Sequence, residues 1–222
     1  MLERFCERVI GIDVSTNQLA HAITKDNIEY QCQTAEDLSF LPANSVDLIT
    51  TATTLHWLEI EQFIKEAKRI LKPKTGTLAI WTYALGTLDN PMADAIYHEF
   101  HHVLLFPYWN MKRWLADDYY QSLVPLLPYK STLQQFTIEN RTDTTLGHFL
   151  GFIESLSGWQ TFRKQNGEQL YEETLNSLRQ RLIECYDRKK TRHEIDETTD
   201  FDSLKMTVSN PVRLYLMKKN QT

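Results

Sequence analysis

An acidic residue directly follows a short apolar run near the start of the sequence. Val9, Ile10 and Ile12 form a β-branched run typical of a strand covered on both faces, and Asp13 ends it. An acid at the carboxyl end of a parallel strand commonly accepts hydrogen bonds from the ribose hydroxyls of nucleotide-type cofactors. The sequence therefore predicts a cofactor-binding role for Asp13. The alternative is that this acid caps the helix that follows.

A second group with possible chemistry is HEFHH at 98–102, which matches the H-E-x-x-H motif. In zinc metalloproteases, two histidines one helical turn apart bind the metal and the glutamate acts as a base. Here no third ligand follows at a familiar spacing, and short motifs often match by chance. We therefore predict no metal site and place His98 and His102 at the surface or in a pocket wall. A zinc hydrolase remains the alternative that this motif supports.

Aromatic and cationic residues recur in PYWNMKRW, DDYY and SGWQTFRK, between 107 and 164. An arginine among aromatic rings can bind a carboxylate with two parallel hydrogen bonds while the rings exclude water. The candidate substrate-binding residues of this region are Trp109, Arg113, Tyr119 and Trp159. For each of them, packing in a local core or exposure to solvent is an equally good interpretation.

The elements that must position these residues alternate along the first part of the chain. Apolar runs predict strands at 8–13, 28–33, 46–51 and 77–83, and IEQFIKEAKRILK has the periodicity of an amphipathic helix. This alternation favours an α/β fold with a doubly wound, mostly parallel sheet. We expect a core at 1–84, a helical cap insertion at 85–200, and a terminal segment at 201–222. That last segment should contain an antiparallel hairpin, 206–217, at the edge of the sheet.

The order of these motifs resembles a known family. RVIGIDVSTNQLAHA, followed by AEDLSFLPANSVDLITTATTLHWLEIEQFIKEAKRILKPKTGTLAIWTYA, resembles the class I S-adenosylmethionine-dependent methyltransferases. It is most similar to the methyltransferase type 11 branch that includes the trans-aconitate methyltransferases. The resemblance is strong over 1–84 and looser over the rest of the chain. It implies a Rossmann-like core, S-adenosylmethionine as cofactor and a small-molecule methyl acceptor, possible acceptors including a carboxylic acid.

The resemblance also implies roles for individual residues. The implied cofactor-binding residues are Asp13 at the ribose, Val14 on the adenine, Ala35 and Glu36 beside the adenine, and Thr51 and Ala52 beside the methionine portion. His56 and Trp57 would lie near the transfer site, although both could simply pack the start of a helix. No residue is assigned as a catalytic base. An acceptor carboxylate is already ionised and needs none.

One family feature is missing from these 222 residues. Family members carry a first strand and an E/D-x-G-x-G loop, whose backbone N–H groups serve the methionine end of the cofactor. RVIGIDVS corresponds to their second strand. Without the first strand, the two strands that flank it in the family would lose a ladder partner. We therefore expect an N-terminally truncated form of a methyltransferase. The alternative is a non-catalytic relative that retains a binding or dimerisation surface.

Composition narrows the remaining classes. The net charge is −5, so nucleic acid receives no overall electrostatic attraction. The basic run RKKTRH at 188–193 is followed by acidic residues and is expected to be a solvated loop. Three widely spaced cysteines indicate a reducing compartment, and no apolar run is long enough to span a bilayer. We expect a cytoplasmic protein that binds neither nucleic acid nor membrane, with its oligomeric state left open.

Overall fold

The computed structural model describes residues 2–186 and 200–220. Its strands are β1 Val9–Asp13, β2 Ile28–Cys32, β3 Leu48–Ala52, β4 Thr77–Tyr83, β5 Thr87–Leu88, β6 Gln134–Ile138, β7 Arg141–Thr145, β8 Lys205–Ser209 and β9 Val212–Lys218. Its α-helices are α1 Thr16–Ala20, α2 Ile60–Ile70, α3 Pro91–Glu99, α4 Trp114–Asp117, α5 Leu146–Ser155, α6 Ser157–Asn166 and α7 Glu168–Tyr186. The basic run 188–193 lies outside the described residues, so its assignment as a solvated loop stays a prediction.

These strands form three sheets among the described residues. β1 pairs with β2 in parallel, β3 and β4 are parallel neighbours in the order β3-β4-β9-β6, and β5-β8-β7 is antiparallel. The α/β class and the four expected strands are confirmed. The expectation of one continuous sheet is wrong for this part of the chain, because β1 and β3 each have a partner strand on one edge only. The break falls where the family resemblance places the missing strand.

The expected terminal hairpin is also wrong. β8 pairs with β5 and β7, whereas β9 lies between β4 and β6, so the two arms belong to different sheets. The link between them explains why. Pro211 has no N–H to close a hairpin turn. Asn210 is held elsewhere, because its N–H donates to the Asn140 carbonyl at 3.0 Å and its side chain accepts from Asn140 at 2.9 Å.

The chain divides into two compact units. Unit 1 comprises Met1–Thr82, Tyr120–Phe136 and Leu214–Thr222, and unit 2 comprises Tyr83–Tyr119 and Thr137–Arg213. This division differs from the expected boundaries at 84 and 200, because 120–136 belongs with the core and 201–213 with the insertion. No helix within the described ranges is both long and apolar enough to cross a membrane.

Unit 1 is organised around α2. The helix buries Phe63, Ile64, Ala67 and Ile70 on one face, as its periodicity predicts. Its last turn is tied to the start of β3, because the Val46 N–H donates to the Ile70 carbonyl at 3.0 Å. The predicted amphipathic helix is thus confirmed over Ile60–Ile70.

Unit 2 has its own core, built from α3, α5, α6 and α7. Its largest fully buried side chains include Tyr97 and Trp159, and Leu175, Leu178 and Leu182 line the buried face of α7. The expected helical character is confirmed for these elements. The sequence did not predict β7, which pairs with β8 from Arg141↔Ser209 to Thr145↔Lys205. β7 is polar throughout, so it lacks the apolar alternation that marks a half-buried strand.

Candidate functional site

Asp13 lies at the carboxyl end of β1 with an exposed side chain. Its Oδ1 accepts a hydrogen bond from the Ser15 N–H at 2.8 Å. The cap of α1 is Ser15, whose hydroxyl accepts from the Gln18 N–H at 3.3 Å. Since Ser15 fills the capping role, capping does not explain Asp13. Val14 beside it is 71% exposed, which is unusual for a valine and leaves an apolar surface next to the acid.

The loop after β2 is held at two points by α2. The Glu36 carboxylate accepts from the Glu59 N–H at 2.9 Å, at the start of the helix. One turn from its end, Glu66 accepts from the Leu38 N–H at 3.0 Å and Arg69 donates to the Leu38 carbonyl. A hydrogen bond from Arg69 lowers the pKa of the Glu66 carboxyl. AEDL (35–38) and EAKR (66–69) are thus joined by hydrogen bonds, which the sequence did not reveal.

Within this loop, Glu36 is engaged by its neighbours. The Thr34 hydroxyl donates to the Glu36 carboxylate and accepts from the Glu36 N–H at 3.1 Å. Both the side chain and the amide of Glu36 therefore hold the loop in place. Ala35 is half-buried. It is the better candidate of the pair for direct contact with a cofactor.

The end of β3 combines a buried hydroxyl with a strained backbone. Thr51 is 9% exposed, and its Oγ1 is buried with no hydrogen-bond partner within the described residues. Ala52 is exposed, and Thr53 adopts φ 49°, a left-handed conformation that costs a non-glycine residue about 1–3 kcal/mol. Such conformations persist where the surroundings hold them, and they concentrate at functional sites. An unpaired buried hydroxyl is what a bound polar ligand would satisfy.

His56 has a partner that the sequence analysis did not assign to the site. The 3-10 turn Leu55–Trp57 follows β3 and buries His56, whose Nδ1 lies 2.8 Å from the hydroxyl oxygen of Tyr120. Tyr120 is fully buried and adopts φ 59°. The neighbouring Trp57 is 47% exposed, with its ring centroid 4.6 Å from that of His56. No local pattern could have identified a pair separated by 64 positions.

In unit 2 the structure brings Trp109 and Arg113 together. The Arg113 guanidinium carbon lies 4.5 Å from the centroid of the Trp109 ring, a cation–π arrangement. Trp109 is 7% exposed and its indole N–H donates to the His101 carbonyl at 3.1 Å. Tyr119 is half-buried at φ 56°, with the Arg213 guanidinium 5.1 Å from its ring centroid.

Trp159 needs a correction. The indole is 0% exposed and packs against Phe162, Tyr171 and Phe100 at centroid distances of 4.9, 4.7 and 5.2 Å. The packing interpretation therefore holds for this residue, because its ring is fully surrounded by the core of unit 2. The predicted cofactor residues, His56 and Trp57 all lie in unit 1, whereas Trp109, Arg113, Tyr119 and Trp159 lie in unit 2.

The HEFHH motif does not have the geometry of a zinc-binding helix. α3 ends at Glu99 and continues as the π-helical turn Phe100–Leu104, which changes the spacing between the histidines. Glu99 is paired with Arg181 of α7, and the His98 and His102 rings stack at 5.4 Å. Across residues 2–186 and 200–220, no three His, Cys, Asp or Glu side chains form a group that could hold a metal ion.

The residues present fit half of the expected cofactor. The exposed Asp13 and Val14 and the anchored loop at Ala35 suit an adenosine group. The Thr51 hydroxyl, unpaired within the described residues, lies where the resemblance places the methionine portion. The E/D-x-G-x-G loop that would serve the methionine end is not among the 222 residues.

Comparisons with known proteins show which family this chain resembles. A family described as a methyltransferase domain matches residues 1–80. A methyltransferase of Dictyostelium discoideum is 31% identical over 220 residues, covering 98% of this chain and 76% of that protein. A Saccharomyces cerevisiae protein described as an S-adenosylmethionine-dependent methyltransferase is 31% identical over 108 residues. The match covers 45% of this chain and 37% of that protein.

A solved structure shares the fold. The type II methyltransferase of Anaeromyxobacter dehalogenans superposes with a TM-score of 0.76 at 23% identity, covering all of this chain and 84% of that one. The Rossmann-like fold class is thereby confirmed.

Proposed function

Because this chain belongs to the class I S-adenosylmethionine-dependent methyltransferases, we propose that it transfers a methyl group to a small-molecule carboxylic acid. The observation that supports this acceptor class is Arg113, which lies over the Trp109 ring in the insertion. A guanidinium oriented by an aromatic face is suited to a planar carboxylate. The resemblance to the trans-aconitate methyltransferases points to the same class.

The proposed cofactor-binding residues have distinct tasks. Asp13 accepts hydrogen bonds from the ribose hydroxyls, and Val14 packs on the adenine. Ala35 contacts the adenine edge from a loop that Glu36 holds in place, and Thr51 and Ala52 flank the methionine portion. When bound, S-adenosylmethionine supplies an electrophilic methyl group on a sulfonium. The exposure of Asp13 and Val14 and the Thr51 hydroxyl, which is unpaired within the described residues, support these assignments.

The proposed acceptor-binding residues work by orientation. Arg113 binds the carboxylate with Trp109 behind it, and Tyr119 contributes a further aromatic contact in the same unit. His56 and Trp57, which follow β3 in unit 1, are proposed to lie beside the methyl group of the cofactor. A carboxylate is ionised at neutral pH, so no residue has to remove a proton. Rate enhancement then comes from positioning and exclusion of water.

A second candidate function is supported by the sheet edges. β1 and β3 each leave one edge without a partner strand in the described part of the chain. A relative that has lost catalysis but keeps a binding or dimerisation surface would tolerate the missing glycine-rich loop.

Incubation of a form of the protein that binds the cofactor with methyl-labelled S-adenosylmethionine and a pool of small carboxylic acids tests the proposal. We expect base-labile label in a methyl ester, reduced strongly in Arg113→Gln and unchanged in Arg141→Gln, an exposed arginine on β7. Label in an amine product would contradict the acceptor class. Absence of any transfer, with the chain folded, would favour the non-catalytic candidate.

A further inference from the structure

A polar cluster in unit 2 joins the π-helical turn to α4. It consists of His101, Arg113, Trp114 and Asp117 and is called here the insertion cluster. Arg113 is at its centre, since one terminal nitrogen lies 3.1 Å from His101 Nε2 and 3.7 Å from Asp117 Oδ1. The His101 and Trp114 rings meet edge to face at 6.4 Å.

His101 is neutral, with an assignable tautomer. It is 0% exposed, and burial, reinforced by the positive charge of Arg113, lowers the pKa of its imidazole to about 3. Arginine can only donate, so Nε2 accepts and the proton is on Nδ1. That Nδ1–H is buried and has no acceptor among the described residues.

Among the described residues, Asp117 lacks a hydrogen-bond donor, whereas His101 lacks an acceptor. Both of its carboxylate oxygens are buried without a hydrogen-bond donor in the part of the chain that the structure describes. The 3.7 Å to Arg113 is an ion-pair distance but too long for a hydrogen bond. Burial raises the pKa of this carboxyl.

Two further donors in the same cluster are unused. Arg113 Nε and Trp114 Nε1 are buried and have no acceptor within residues 2–186 and 200–220. The cluster thus offers unused donors around Arg113 and an unused acceptor at Asp117. Buried polar groups are nearly always satisfied in native proteins, by protein, water or ligand.

The charge balance of the cluster indicates what would satisfy both sides. The Trp114 ring stacks on His102 at 5.7 Å and lies tilted against Phe106 at 5.6 Å, so the cluster is lined by apolar rings as well as charges. A simple carboxylic acid would add a second anion beside Asp117 and would bring no hydrogen-bond donor to its buried oxygens, which is costly. A ligand carrying both a carboxylate and an ammonium group would pair with both charges.

We propose that the insertion cluster binds a zwitterionic amino acid, with its carboxylate on the Arg113 side and its ammonium group on Asp117. This inference rests on the proposed function and narrows its acceptor class from carboxylic acids to amino acids. His101 is a positioning residue here, because its Nε2 fixes the guanidinium of Arg113.

Saturation-transfer NMR with a pool of the common L-amino acids tests the proposal on the full chain without cofactor. The strongest binder is then compared with the carboxylic acid that lacks its amino group. We expect the amino acid to bind at least about tenfold more tightly, since it adds a charge-assisted hydrogen bond. Binding of no amino acid, or equal binding of the deaminated acid, would overturn the proposal.

Variants separate the two ends of the ligand. Asp117→Asn should remove the preference for the amino acid while keeping weak binding of the acid, and Arg113→Lys should weaken both. Asp143→Asn, an exposed acid on β7, is the matched control and should change neither. Circular dichroism of each variant checks folding, and a preference retained in a folded Asp117→Asn would contradict the assignment. Binding without label transfer would leave the site standing and count against the proposed function alone.

Discussion

At the scale of single residues, the candidate site combines an exposed acid, a buried hydroxyl and a buried histidine. Asp13 is exposed beside an exposed valine, Thr51 has a buried hydroxyl without a partner among the described residues, and His56 is buried and hydrogen-bonded to Tyr120. Substitution of Asp13 and of Tyr120 should each have a measurable effect.

Asp13→Ala should weaken S-adenosylmethionine binding. The proposed ribose contact is a hydrogen bond to a charged group, worth about 1.5–3 kcal/mol. Titration calorimetry on a form of the protein that binds the cofactor measures the change. Asp26→Ala, an exposed acid in the turn before β2, should have no effect. Equal losses in both variants would remove Asp13 from the site.

Tyr120→Phe should destabilise the fold. It removes the hydroxyl whose oxygen lies 2.8 Å from His56 Nδ1, and losing this buried hydrogen bond costs about 1–3 kcal/mol. Urea unfolding measures the free energy of unfolding, with Tyr83→Phe, an exposed tyrosine at the end of β4, as control. A stability equal to that of the control would show that the hydrogen bond contributes nothing.

At the scale of elements, α2 is both a core helix and the support of the loop after β2. Its Glu66–Arg69 pair is mostly shielded, with 11% and 33% of the side chains exposed. The loop that should contact the adenine therefore depends on two charged residues of a neighbouring helix.

Glu66→Gln should lower stability in a pH-dependent way. The pKa of Glu66 is lowered in the folded state, so its stabilisation is present above the ordinary carboxyl pKa and is lost as pH falls through the lowered value. We expect a loss of about 1–3 kcal/mol at pH 7 that shrinks as the pH falls below the ordinary carboxyl pKa. Glu61→Gln, in the exposed first turn of α2, is the control. A pH-independent difference would rule out this ion pair as the cause.

The π-helical turn after α3 bears on the rival hydrolase. Because Glu99 is paired with Arg181 and α3 ends inside HEFHH, purified protein should contain no stoichiometric zinc. His98→Ala should leave methyl transfer unchanged. Metal analysis that finds about one zinc per chain, lost in that variant, would restore the hydrolase hypothesis.

At the scale of the whole molecule, the separation of the β1–β2 pair from the four-stranded sheet is the main departure from the expected fold. Unpaired strand edges are prone to association. Phe5 and Val14 near β1 are 87% and 71% exposed.

The chain of 222 residues should therefore bind S-adenosylmethionine weakly and be poorly soluble when expressed alone. Extending the N-terminus with an apolar strand and a D-x-G-x-G loop, upstream of the helical turn Leu2–Arg4, should restore both binding and solubility, because it supplies a ladder partner and backbone N–H groups for the cofactor. Calorimetry on both proteins measures this. Tight binding by the shorter chain would contradict the placement of β1 as a second strand, and no binding by the longer one would favour the non-catalytic candidate.

The sequence by itself determined whatever depends on local pattern. Apolar runs located β1 to β4, the 3.6-residue period located α2 with its buried Phe63, Ile64, Ala67 and Ile70, and the ordered motifs indicated the methyltransferase family. These signals lie within a few residues of each other, so steric and hydrophobic preferences are enough to read them.

Only the tertiary structure decided the partnerships. It placed β8 and β9 in different sheets, paired His56 with Tyr120, and buried His101 and Trp159 while leaving Trp57 exposed. Strand pairing and burial depend on what lies opposite a residue, and that neighbour is tens of positions away in the chain. The sequence around a tryptophan or histidine does not indicate whether its ring will pack in a core or contact a ligand, because the same side chain suits both.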